Sequence, residues 1–408
     1  MNMEAGDVEM ETSAEAEMDL FQRTAAASSA SFSDAAISSK RVAIKNTIQT
    51  NFHDDYVFQI ASSPEISTLA VSLSSNTIKL YSPATEQFLG ECKGHSSTIN
   101  EISFTVPSSP NLLCSCSSDG TVRLWDTRIF KQVSLIKANS CQEIFSFCIG
   151  GASSNLLAGG GNSQILFWDW RNSKQVACLE ESHMDDVTQV RFAPNQQNKL
   201  ISSSVDGLLC LFDTDGHIDD DNNLESVMNV GTSIAKFGFF GEKYHKLWCL
   251  THIETLSIWD WRDGRTDIYF EDTRTLASDK WNLDHIDYFV DCYYSGTEDR
   301  LWVIGGTESG TLGYFPVDCT APGAISSAEA ILEGGHTAVV RTVLPASNPH
   351  HHGILLDKKG ILGWTGGEDG RLCCWLSDEN VAANKSWISS TLVVKSARSR
   401  GKNRHQPY

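Results

Sequence analysis

The sequence contains no long uninterrupted run of apolar residues. Every apolar stretch is cut by Ser, Gly or a charged residue within roughly eight positions, well short of the ~18 apolar residues that span a bilayer. The first residues are acidic and rich in Ala and Ser, so they are unlike a signal peptide or a transit peptide. We therefore expect a soluble protein inside the cell, in the cytoplasm, the nucleus or both.

Basic residues are scarce, with 32 Lys and Arg against 51 Asp and Glu, and the formal net charge is −19. This charge argues against a duplex-binding surface unless the positive charge is segregated. Residues 1–40 have a net charge of −6 and predict an acidic disordered tail. Residues 385–408 contain six bases and no acid, and they predict a possible edge strand followed by a basic tail. Any contact with nucleic acid is expected only through this basic tail.

Motifs for catalysis and for cofactor binding are missing. No Gly-rich stretch is followed by Lys-Ser or Lys-Thr, which excludes the usual phosphate-binding loop. No nucleophile and base occur at a known motif spacing. The twelve cysteines are dispersed along a long chain, which favours reduced thiols in the core over a disulfide framework. We expect a protein that is not an enzyme and needs no cofactor.

Two clusters of metal-binding residue types also lack the right spacing. The histidines at positions 350–352 are consecutive, so their side chains diverge. One acidic loop has Gly216 at the fourth position, where a calcium-binding EF-hand needs the sixth, and has no Glu at the twelfth. The acids of this loop are Asp213, Asp215, Asp219, Asp220 and Asp221. We interpret it as a solvated loop and expect no metal site.

The dominant feature of the sequence is an internal repeat. An apolar run, a tight turn and an alternating strand that ends in an aromatic residue recur seven times, at spacings of 43 to 60 residues. The aromatic residues are Tyr81, Trp125, Trp168, Phe212, Trp259, Phe315 and Trp375. Alternation with period two on both sides of turns such as Asp119-Gly120 predicts β-hairpins.

Three copies also carry a histidine about 29 to 39 residues before the aromatic, at His95, His183 and His336. Together with the Asp-Gly turn and the Trp-Asp ending, this pattern resembles the WD40 family over residues 41 to about 380. A four-stranded sheet of about 40 residues can bury both faces only between neighbours, so such sheets stack around an axis. We expect an all-β protein with a seven-bladed WD40 β-propeller at residues 41–384.

The resemblance implies a hydrogen-bonded tetrad of His, Ser or Thr, Asp and Trp in three blades. Phe212 replaces the Trp of the fourth blade and has no N–H to donate, so that network is expected to end one bond short. The tetrad positions are His95, Ser115, Asp119 and Trp125; His183, Ser202 and Asp206; and His336, Thr365, Asp369 and Trp375. We interpret these histidines as structural, and we expect the first, third, fifth and sixth blades to depend on packing alone.

Two segments could close the ring of blades, since an open propeller would leave unpaired strand edges. Residues 41–49 precede the first blade, and residues 387–395 follow the seventh. The family resemblance favours the N-terminal segment as the last strand of the seventh blade.

Two surfaces are candidates for partner binding. Arg128, Arg171 and Arg262 follow Trp-Asp in three repeats and resemble the motif by which WD40 substrate receptors dock on the adaptor of cullin-type ubiquitin ligases. Each Arg could instead pair with an acid of its own loop. On the turn-bearing face, the residues next to the turns and histidines are mostly acidic and favour a basic peptide or protein loop. These are Met184, Asp185, Asp186, Glu308 and Glu368.

An insertion before the sixth blade is long enough to add recognition surface, and Trp281 within it is a hot-spot candidate if it is exposed. The layout of the repeats implies, by resemblance, a non-catalytic scaffold for protein–protein interaction, connected in plants with growth regulation and ribosome assembly or activity. Its expected partners are ribosome-assembly factors or ribosomal proteins, and no membrane. The alternative is a substrate receptor of a cullin-type ubiquitin ligase, with a ubiquitin-ligase adaptor as partner.

Overall fold

The structure, a computed structural model, describes residues 40–49, 54–105, 108–138, 143–281, 285–296, 298–320, 322–345 and 361–376. The acidic segment 1–39 and the basic segment 385–408, including the edge-strand candidate 387–395, lie outside the described residues. The described part is a seven-bladed β-propeller with a single short helix, so the predicted fold class is confirmed.

The first five blades are separate sheets of four antiparallel strands. Each blade follows chain order from the inner strand at the central channel to the outer strand at the rim. Blade 1 contains β2 (Val57–Ser63), β3 (Thr68–Leu73), β4 (Thr77–Tyr81) and β5 (Phe88–Lys93). Blade 2 contains β6 (Ile99–Phe104), β7 (Leu112–Ser117), β8 (Thr121–Asp126) and β9 (Lys131–Lys137).

Blades 3 to 5 repeat the same arrangement. Blade 3 contains β10 (Ile144–Gly150), β11 (Leu156–Gly161), β12 (Ile165–Asp169) and β13 (Lys174–Leu179). Blade 4 contains β14 (Val187–Ala193), β15 (Gln196–Ser204), β16 (Leu208–Asp213) and β17 (Leu224–Asn229). Blade 5 contains β18 (Ile234–Phe240), β19 (Lys246–Thr251), β20 (Leu256–Asp260) and β21 (Arg265–Phe270), and helix α1 (Thr273–Ser278) follows it.

The last two blades share one nine-stranded sheet. Blade 6 contains β22 (Tyr288–Ser295), β23 (Arg300–Gly306), β24 (Leu312–Asp318), the short β25 (Ala324–Ile325) and β26 (Ala330–Leu332). Blade 7 contains β27 (Val340–Pro345), β28 (Ile361–Gly367) and β29 (Arg371–Leu376), and its outer strand is β1 (Lys40–Gln49) from the N-terminal side of the chain.

Strand β1 closes the ring. Its stretch from Ala43 to Gln49 pairs antiparallel with β29, and its first residues, Lys40 to Val42, pair in parallel with β26 of blade 6. One strand therefore covers the outer edges of two blades. Of the two candidate segments, the structure places the N-terminal one in the sheet.

The hydrophobic core is divided among the interfaces between blades. The seven buried clusters each combine residues from two neighbouring blades, and together they complete the circle. Between blades 1 and 2, for example, Leu80 and Ile78 pack with Ile102, Leu113 and Trp125. Both faces of each sheet are thus removed from water, which explains why the aromatic residue that ends each repeat is buried.

Polar side chains also connect the inner strands around the channel. Each inner strand has a register shift, and in five blades the residue after it accepts a hydrogen bond from a backbone N–H of the next blade. These pairs are Gln59 with Ile102 (2.6 Å), Glu101 with Phe147 (3.0 Å), Ser146 with Val190 (3.2 Å), Gln189 with Phe237 (2.8 Å) and Thr342 with Ile60 (3.3 Å). Lys236 and Tyr288 make the links at the remaining two interfaces.

Two negative features concern only the part of the chain that the structure describes. It contains no helix long and apolar enough to cross a membrane. Its eleven cysteines form no disulfide.

Candidate functional site

The tetrad of blade 2 is assembled between β7, β8 and the segment before β6. His95 Nδ1 lies 2.9 Å from Asp119 Oδ2, and His95 Nε2 lies 2.8 Å from Ser115 Oγ. Trp125 Nε1 donates to the same hydroxyl at 2.8 Å. We assign the proton of His95 to Nδ1, because the carboxylate can only accept; Ser115 then donates to Nε2. The four side chains form one directed chain of hydrogen bonds.

Blade 7 has the same geometry. His336 Nδ1 lies 3.0 Å from Asp369 Oδ1 and Nε2 lies 2.8 Å from Thr365 Oγ1, to which Trp375 Nε1 donates at 2.7 Å. The aspartates of both tetrads precede a glycine with positive φ, 72° at Gly120 and 71° at Gly370, a conformation that glycine adopts without steric cost.

Blade 4 contains three of the four members. His183 lies 3.0 Å from Asp206 and 2.7 Å from Ser202, and the buried Phe212 fills the place of the Trp. Since phenylalanine has no N–H, the chain of hydrogen bonds ends at Ser202.

Burial and hydrogen bonding change the titration of these groups. Burial lowers the pKa of His95 and of His183 below the ordinary histidine value, and it outweighs the opposing effect of Asp119 and Asp206. Burial pushes the pKa of Asp119 upward, but hydrogen bonds from Thr121, His95 and the Ser96 N–H hold it below its usual range. His95 and His183 are therefore neutral, and their partners Asp119 and Asp206 are ionised.

Blade 5 corrects one expectation, that the first, third, fifth and sixth blades depend on packing alone. Cys249 takes the position of the tetrad Ser, and Ser257 lies opposite it on β20. Trp259 Nε1 donates to Ser257 Oγ at 2.9 Å. Trp259 keeps its hydrogen bond because the acceptor hydroxyl lies on β20, the strand of the Trp itself, instead of on β19.

The turn-bearing face presents Met184, Asp185 and Glu308 to solvent. Met184 is 90% exposed, the largest fraction among the exposed large hydrophobic residues of the described chain, and its N–H donates to Asp206 Oδ2 at 3.0 Å. Asp185 and Glu308 are also exposed. This anchored loop therefore holds an exposed apolar side chain next to the Asp185 carboxylate, which accepts the Asp186 N–H at 2.8 Å, and Glu308 lies on a separate loop of blade 6.

The other two acids predicted for this face have partners. Asp186 is partly buried and accepts from Asn162 Nδ2 at 2.9 Å, which joins blades 3 and 4. Glu368 accepts from Arg341 Nε at 2.7 Å and forms an ion pair with that guanidinium. The charge of Glu368 is thus compensated within blade 7, which sequence reasoning did not foresee.

Trp281 is not a surface hot spot, so that expectation is wrong. Its side chain is 5% exposed and packs edge-on against Phe315 at a ring separation of 5.6 Å, within the core between blades 5 and 6. Helix α1 forms part of the insertion, and its Ala277 is buried in the same cluster. The insertion extends the core because its apolar residues are enclosed between two blades.

The three arginines after Trp-Asp each bind the aspartate two residues earlier. Arg128 contacts Asp126 through Nε–Oδ1 (2.9 Å) and Nη2–Oδ2 (2.6 Å). Arg171 makes the same two contacts with Asp169 at 3.1 and 2.9 Å, and Arg262 makes longer ones with Asp260. The hydrogen bonds from Arg128 lower the pKa of Asp126 to about 2. The arginines keep half or more of their side chains exposed.

In each Trp-Asp-x-Arg segment, the residue between Asp and Arg donates a hydrogen bond to the loop between the first two strands of the same blade. Thr127 donates its hydroxyl to the carbonyl oxygen of Asn111 at 3.0 Å. Trp170 donates to Ser154 O at 3.1 Å, and Trp261 donates to Tyr244 O at 2.7 Å. In blade 4, where no Arg follows, Thr214 makes the equivalent bond to Asn198 O at 2.9 Å. The Trp-Asp-x-Arg segments are therefore structural braces.

Carboxylates of the acidic loop of blade 4 accept hydrogen bonds from nearby backbone N–H groups. Asp219 accepts the N–H groups of Asp221 and Asn222, and Asp220 accepts those of Glu180 and Glu181 at the end of blade 3. In the part of the chain that is described, no group of three or more His, Cys, Asp or Glu is placed to hold a metal ion. The histidines at 350–352 lie outside the described residues.

Sequence reasoning missed a polar pair in the channel. Arg191 Nη2 of blade 4 lies 2.7 Å from Glu101 Oε1 of blade 2, across the inner strand of blade 3. No motif marks either residue. The only signal is their place on the inner strands, and the stacking of three successive blades brings them together.

Comparison with known proteins agrees with this geometry. The WD40 family model (WD domain, G-beta repeat) matches residues 86–126 and 173–213, which end at the third strands of blades 2 and 4. The chain is 63% identical to WD repeat-containing protein GTS1 of Arabidopsis thaliana over 372 residues, 90% of this chain and 93% of that protein. It is 37% identical to the WD repeat-containing protein 89 homolog of Dictyostelium discoideum over 289 residues, 71% of this chain and 76% of that protein.

Proposed function

Because the chain belongs to the WD40 repeat family, we propose that it is a non-catalytic scaffold whose acidic turn-bearing face binds a basic protein segment. A rigid propeller holds the loops of this face in fixed positions, an arrangement suited to binding and one that needs no reacting group. The tetrad histidines do not compete with this assignment, since each is buried between strands.

The observation that carries the proposal is the exposed loop around Met184. A methionine that is 90% exposed has no role in packing the chain itself, and its flexible thioether adapts to varied surfaces. Asp185 lies next to it, and Glu308 lies on the same face. Carboxylates around an apolar side chain favour a partner with basic residues around an apolar anchor.

For the biological setting, we propose growth regulation linked to ribosome assembly or activity, in the cytoplasm or the nucleus. This follows from the resemblance of the repeat layout to plant members of the family. Ribosomal proteins and their assembly factors carry basic segments that bind RNA, so their charge is complementary to the acidic face.

The test is affinity purification of the tagged full-length chain with the double variant Asp185→Lys/Glu308→Lys. These two acids are exposed. The Asp185 carboxylate accepts the backbone N–H of Asp186 at 2.8 Å, but neither carboxylate bonds to another side chain among the described contacts, unlike Asp186 and Glu368. The control is Asp215→Lys/Asp221→Lys, which makes the same change of charge on the acidic loop of blade 4. Loss of ribosome-assembly proteins from the first variant alone supports the proposal, and equal recovery from both rejects the face assignment.

The alternative, docking on a cullin-type ligase adaptor through Arg128 and Arg171, is less favoured by the geometry. Both guanidinium groups already bind a carboxylate of their own turn with two contacts each. Purification of the variant Arg128→Ala/Arg171→Ala tests this route. Adaptor and cullin subunits that co-purify only with the unaltered chain would support the ligase-receptor alternative.

A further inference from the structure

The outer strands of the first five blades all contain a β-bulge at the same place. In blade 2 the pairing of β8 with β9 skips Val133, which lies between the partners of Leu124 and Trp125. A bulge changes the direction of the side chain of its extra residue, and in each of these blades that residue is exposed or half-buried. The equivalent residues of blades 1, 3, 4 and 5 are Leu89, Val176, Glu225 and Asp267.

The chemistry of the bulge residue divides the rim of the propeller into two parts. In blades 4 and 5 it is an acid that forms an ion pair with a lysine of its own blade. In blades 1 to 3 it is apolar and exposed, by 43% at Leu89, 53% at Val133 and 49% at Val176. We call these three residues the bulge row. Three neighbouring blades thus leave an aliphatic side chain in water at a position where two other blades have a charge, which marks a surface for binding.

The bulge row is continuous because the residue after a bulge contacts the next blade. Gly90 follows the bulge residue of blade 1, and a Cβ atom there would lie 2.6 Å from the Phe130 ring of blade 2. Ser134 follows the bulge residue of blade 2, and its hydroxyl lies 2.7 Å from the Ser173 hydroxyl of blade 3. This contact limits the two valines of the row to a separation of at most about 21 Å, which about seven residues of extended chain can span.

Two lysines accompany the bulge row. In blades 2 and 3 the outer strand begins with Lys-Gln-Val, which places Lys131 and Lys174 two residues before the valine. Both lysines are exposed, and within the described residues neither ammonium group has an ion-pair partner. The acids opposite them in the sheet, Asp126 and Asp169, are each bound by the arginine two positions later. The positive charge of the two lysines is therefore available to a ligand.

The local charge is opposite to that of the whole chain. Together, residues 126–137 and 169–179 contain five bases and two acids, a net charge of +3, in a chain of net charge −19. A second copy of the chain would bring like charges together at this surface. Nucleic acid would gain little from the aliphatic side chains, and two unpaired lysines neutralise few phosphates. Carboxylates beside apolar side chains are complementary to both features of the row.

We propose that the bulge row and its two lysines bind an extended acidic segment of a partner protein, in which apolar residues alternate with Asp or Glu. The carboxylates pair with Lys131 and Lys174, and the apolar side chains cover Val133 and Val176. Because the bulges interrupt the regular edges of β9 and β13, the segment is held by its side chains and does not add a further strand. This site lies at the rim and is independent of the acidic turn-bearing face.

The test uses the full-length chain and three fluorescein-labelled heptapeptides. The acidic apolar probe is Glu-Leu-Glu-Leu-Glu-Leu-Glu, the acidic polar probe has Ser in place of Leu, and the basic apolar probe has Lys in place of Glu. Fluorescence anisotropy measures each Kd. We expect the acidic apolar probe to bind about tenfold more tightly than the acidic polar probe. Absence of binding by the acidic apolar probe, or equal binding of the two acidic probes, overturns the proposal.

Charge variants locate the site. Lys131→Glu/Lys174→Glu reverses the two unpaired charges and should weaken binding of the acidic apolar probe about tenfold or more. The matched control Lys243→Glu/Lys280→Glu makes the same change of charge at two other exposed lysines, and it should leave the affinity within about twofold because distant charges are screened. Equal weakening by both variants overturns the assignment, since the probe would then respond to net charge alone.

The variant Val133→Ser/Val176→Ser tests the apolar contribution. It should weaken the acidic apolar probe about fivefold and leave the acidic polar probe unchanged, because only the leucines lose contacts. The control Val227→Ser replaces an exposed valine on the outer strand of blade 4 and should change neither affinity. All substituted side chains are exposed, so the thermal midpoints should stay close to that of the unaltered chain. Full affinity of the double valine variant for the acidic apolar probe rejects the proposal.

A short single-stranded RNA tests the other class of ligand. RNA binding that is lost in Lys131→Glu/Lys174→Glu, together with equal binding of the two acidic peptides, would assign the row to nucleic acid and overturn the proposal. Asp185→Lys/Glu308→Lys should leave the affinity for the acidic apolar probe unchanged and weaken binding of the basic apolar probe. Failure of this inference and failure of the proposed function are thus observed with different variants and different probes.

Discussion

Arg191 and Glu101 form an ion pair of 2.7 Å between blades that are not neighbours, since the inner strand of blade 3 lies between them. The contact passes beside Ser146, whose hydroxyl donates to Glu101 at 2.8 Å. Burial disfavours the charge of Arg191, but the nearby Glu101 raises the pKa of the guanidinium above its ordinary value. Three successive blades are thereby held together at the channel.

Removal of one partner of this pair should be costly. In Arg191→Met the buried Glu101 carboxylate loses its counter-charge, and we expect the free energy of unfolding to fall by roughly 3 kcal/mol. The double variant Glu101→Gln/Arg191→Met removes both charges and should recover part of that loss. Urea unfolding followed by tryptophan fluorescence measures both values. A double variant less stable than the single one would contradict this account.

The complete and incomplete tetrads predict different costs for the same substitution. Ser115→Ala removes a hydroxyl that bonds both His95 and Trp125, whereas Ser202→Ala removes one that bonds only His183. A buried donor left without a partner costs about 1–3 kcal/mol, so Ser115→Ala should destabilise the protein by about 1 kcal/mol more than Ser202→Ala. Thermal and urea unfolding of the two variants provide the comparison, and equal losses would show that the Trp125 bond contributes nothing.

Stability should fall as the pH falls through the histidine range. His95 and His183 take up protons near pH 6.5 in the unfolded chain, but at lower pH in the folded one, because burial lowers their pKa. Between these values the unfolded state binds more protons, so acid favours unfolding. We expect a lower thermal midpoint at about pH 5.5 than at about pH 7.5, and a smaller difference in His95→Gln. A pH-independent midpoint would mean that these histidines titrate with the same pKa in the folded and the unfolded chain.

The carboxylates of the tetrads extend this loss to lower pH. In the folded chain the pKa of Asp119, Asp206 and Asp369 lies below the ordinary value of 3.8. These ionised carboxylates therefore stabilise the fold fully above pH 3.8, and this stabilisation is lost as the pH falls through their folded pKa.

Trp281 should behave as a core residue in mutagenesis. Trp281→Ala removes a ring packed between blades 5 and 6 and should cost about 4 kcal/mol. Within the described chain its Nε1 has no hydrogen-bond partner, so Trp281→Phe should cost only about 1–2 kcal/mol. Unfolding midpoints of both variants test this, and partner binding by Trp281→Phe serves as the control. If Trp281→Ala had unaltered stability, this would contradict the assignment of Trp281 to the core.

The Trp-Asp-x-Arg brace between β8 and β9 of blade 2 should affect the titration of the Asp126 carboxyl group. Arg128→Ala removes the two contacts that hold the pKa of Asp126 at about 2, and that pKa should rise toward its ordinary value. Because Arg128 is 68% exposed and its ion pair is screened by solvent, the loss of stability should be small. Carbon-detected NMR titration of Asp126 measures the shift, with Arg128→Lys as the conservative control. An unchanged pKa would contradict the brace.

Most of the architecture could be predicted from the repeat, because the sequence patterns that specify its strands and turns are local. Alternation around Asp-Gly turns specifies hairpins, and seven copies in register specify seven sheets that must bury their faces against each other. The tetrad partners were predicted from the resemblance to WD40 repeats, and the structure brings His95, Ser115, Asp119 and Trp125 together. The missing bond at Phe212 could be read directly from its lack of an N–H.

Other features depended on side-chain contacts that the repeat pattern does not specify, two of them within one blade and one between blades. Ser257 replaces Cys249 as the acceptor for Trp259 because two strands lie side by side in one register. Glu368 is neutralised by Arg341 from a strand 27 residues away. Trp281 is buried only because blades 5 and 6 enclose the insertion.

The sequence by itself determined the seven repeats, their alternating strands and the acidic balance of the chain, because composition and short-range periodicity are properties of neighbours along the backbone. Tertiary structure alone decided which charges remain free, which arginines are already paired, and which outer strands lie side by side. The bulge row of blades 1 to 3 becomes one surface only after the blades have stacked, because Gly90 and Ser134 then contact residues about 40 positions further along the chain.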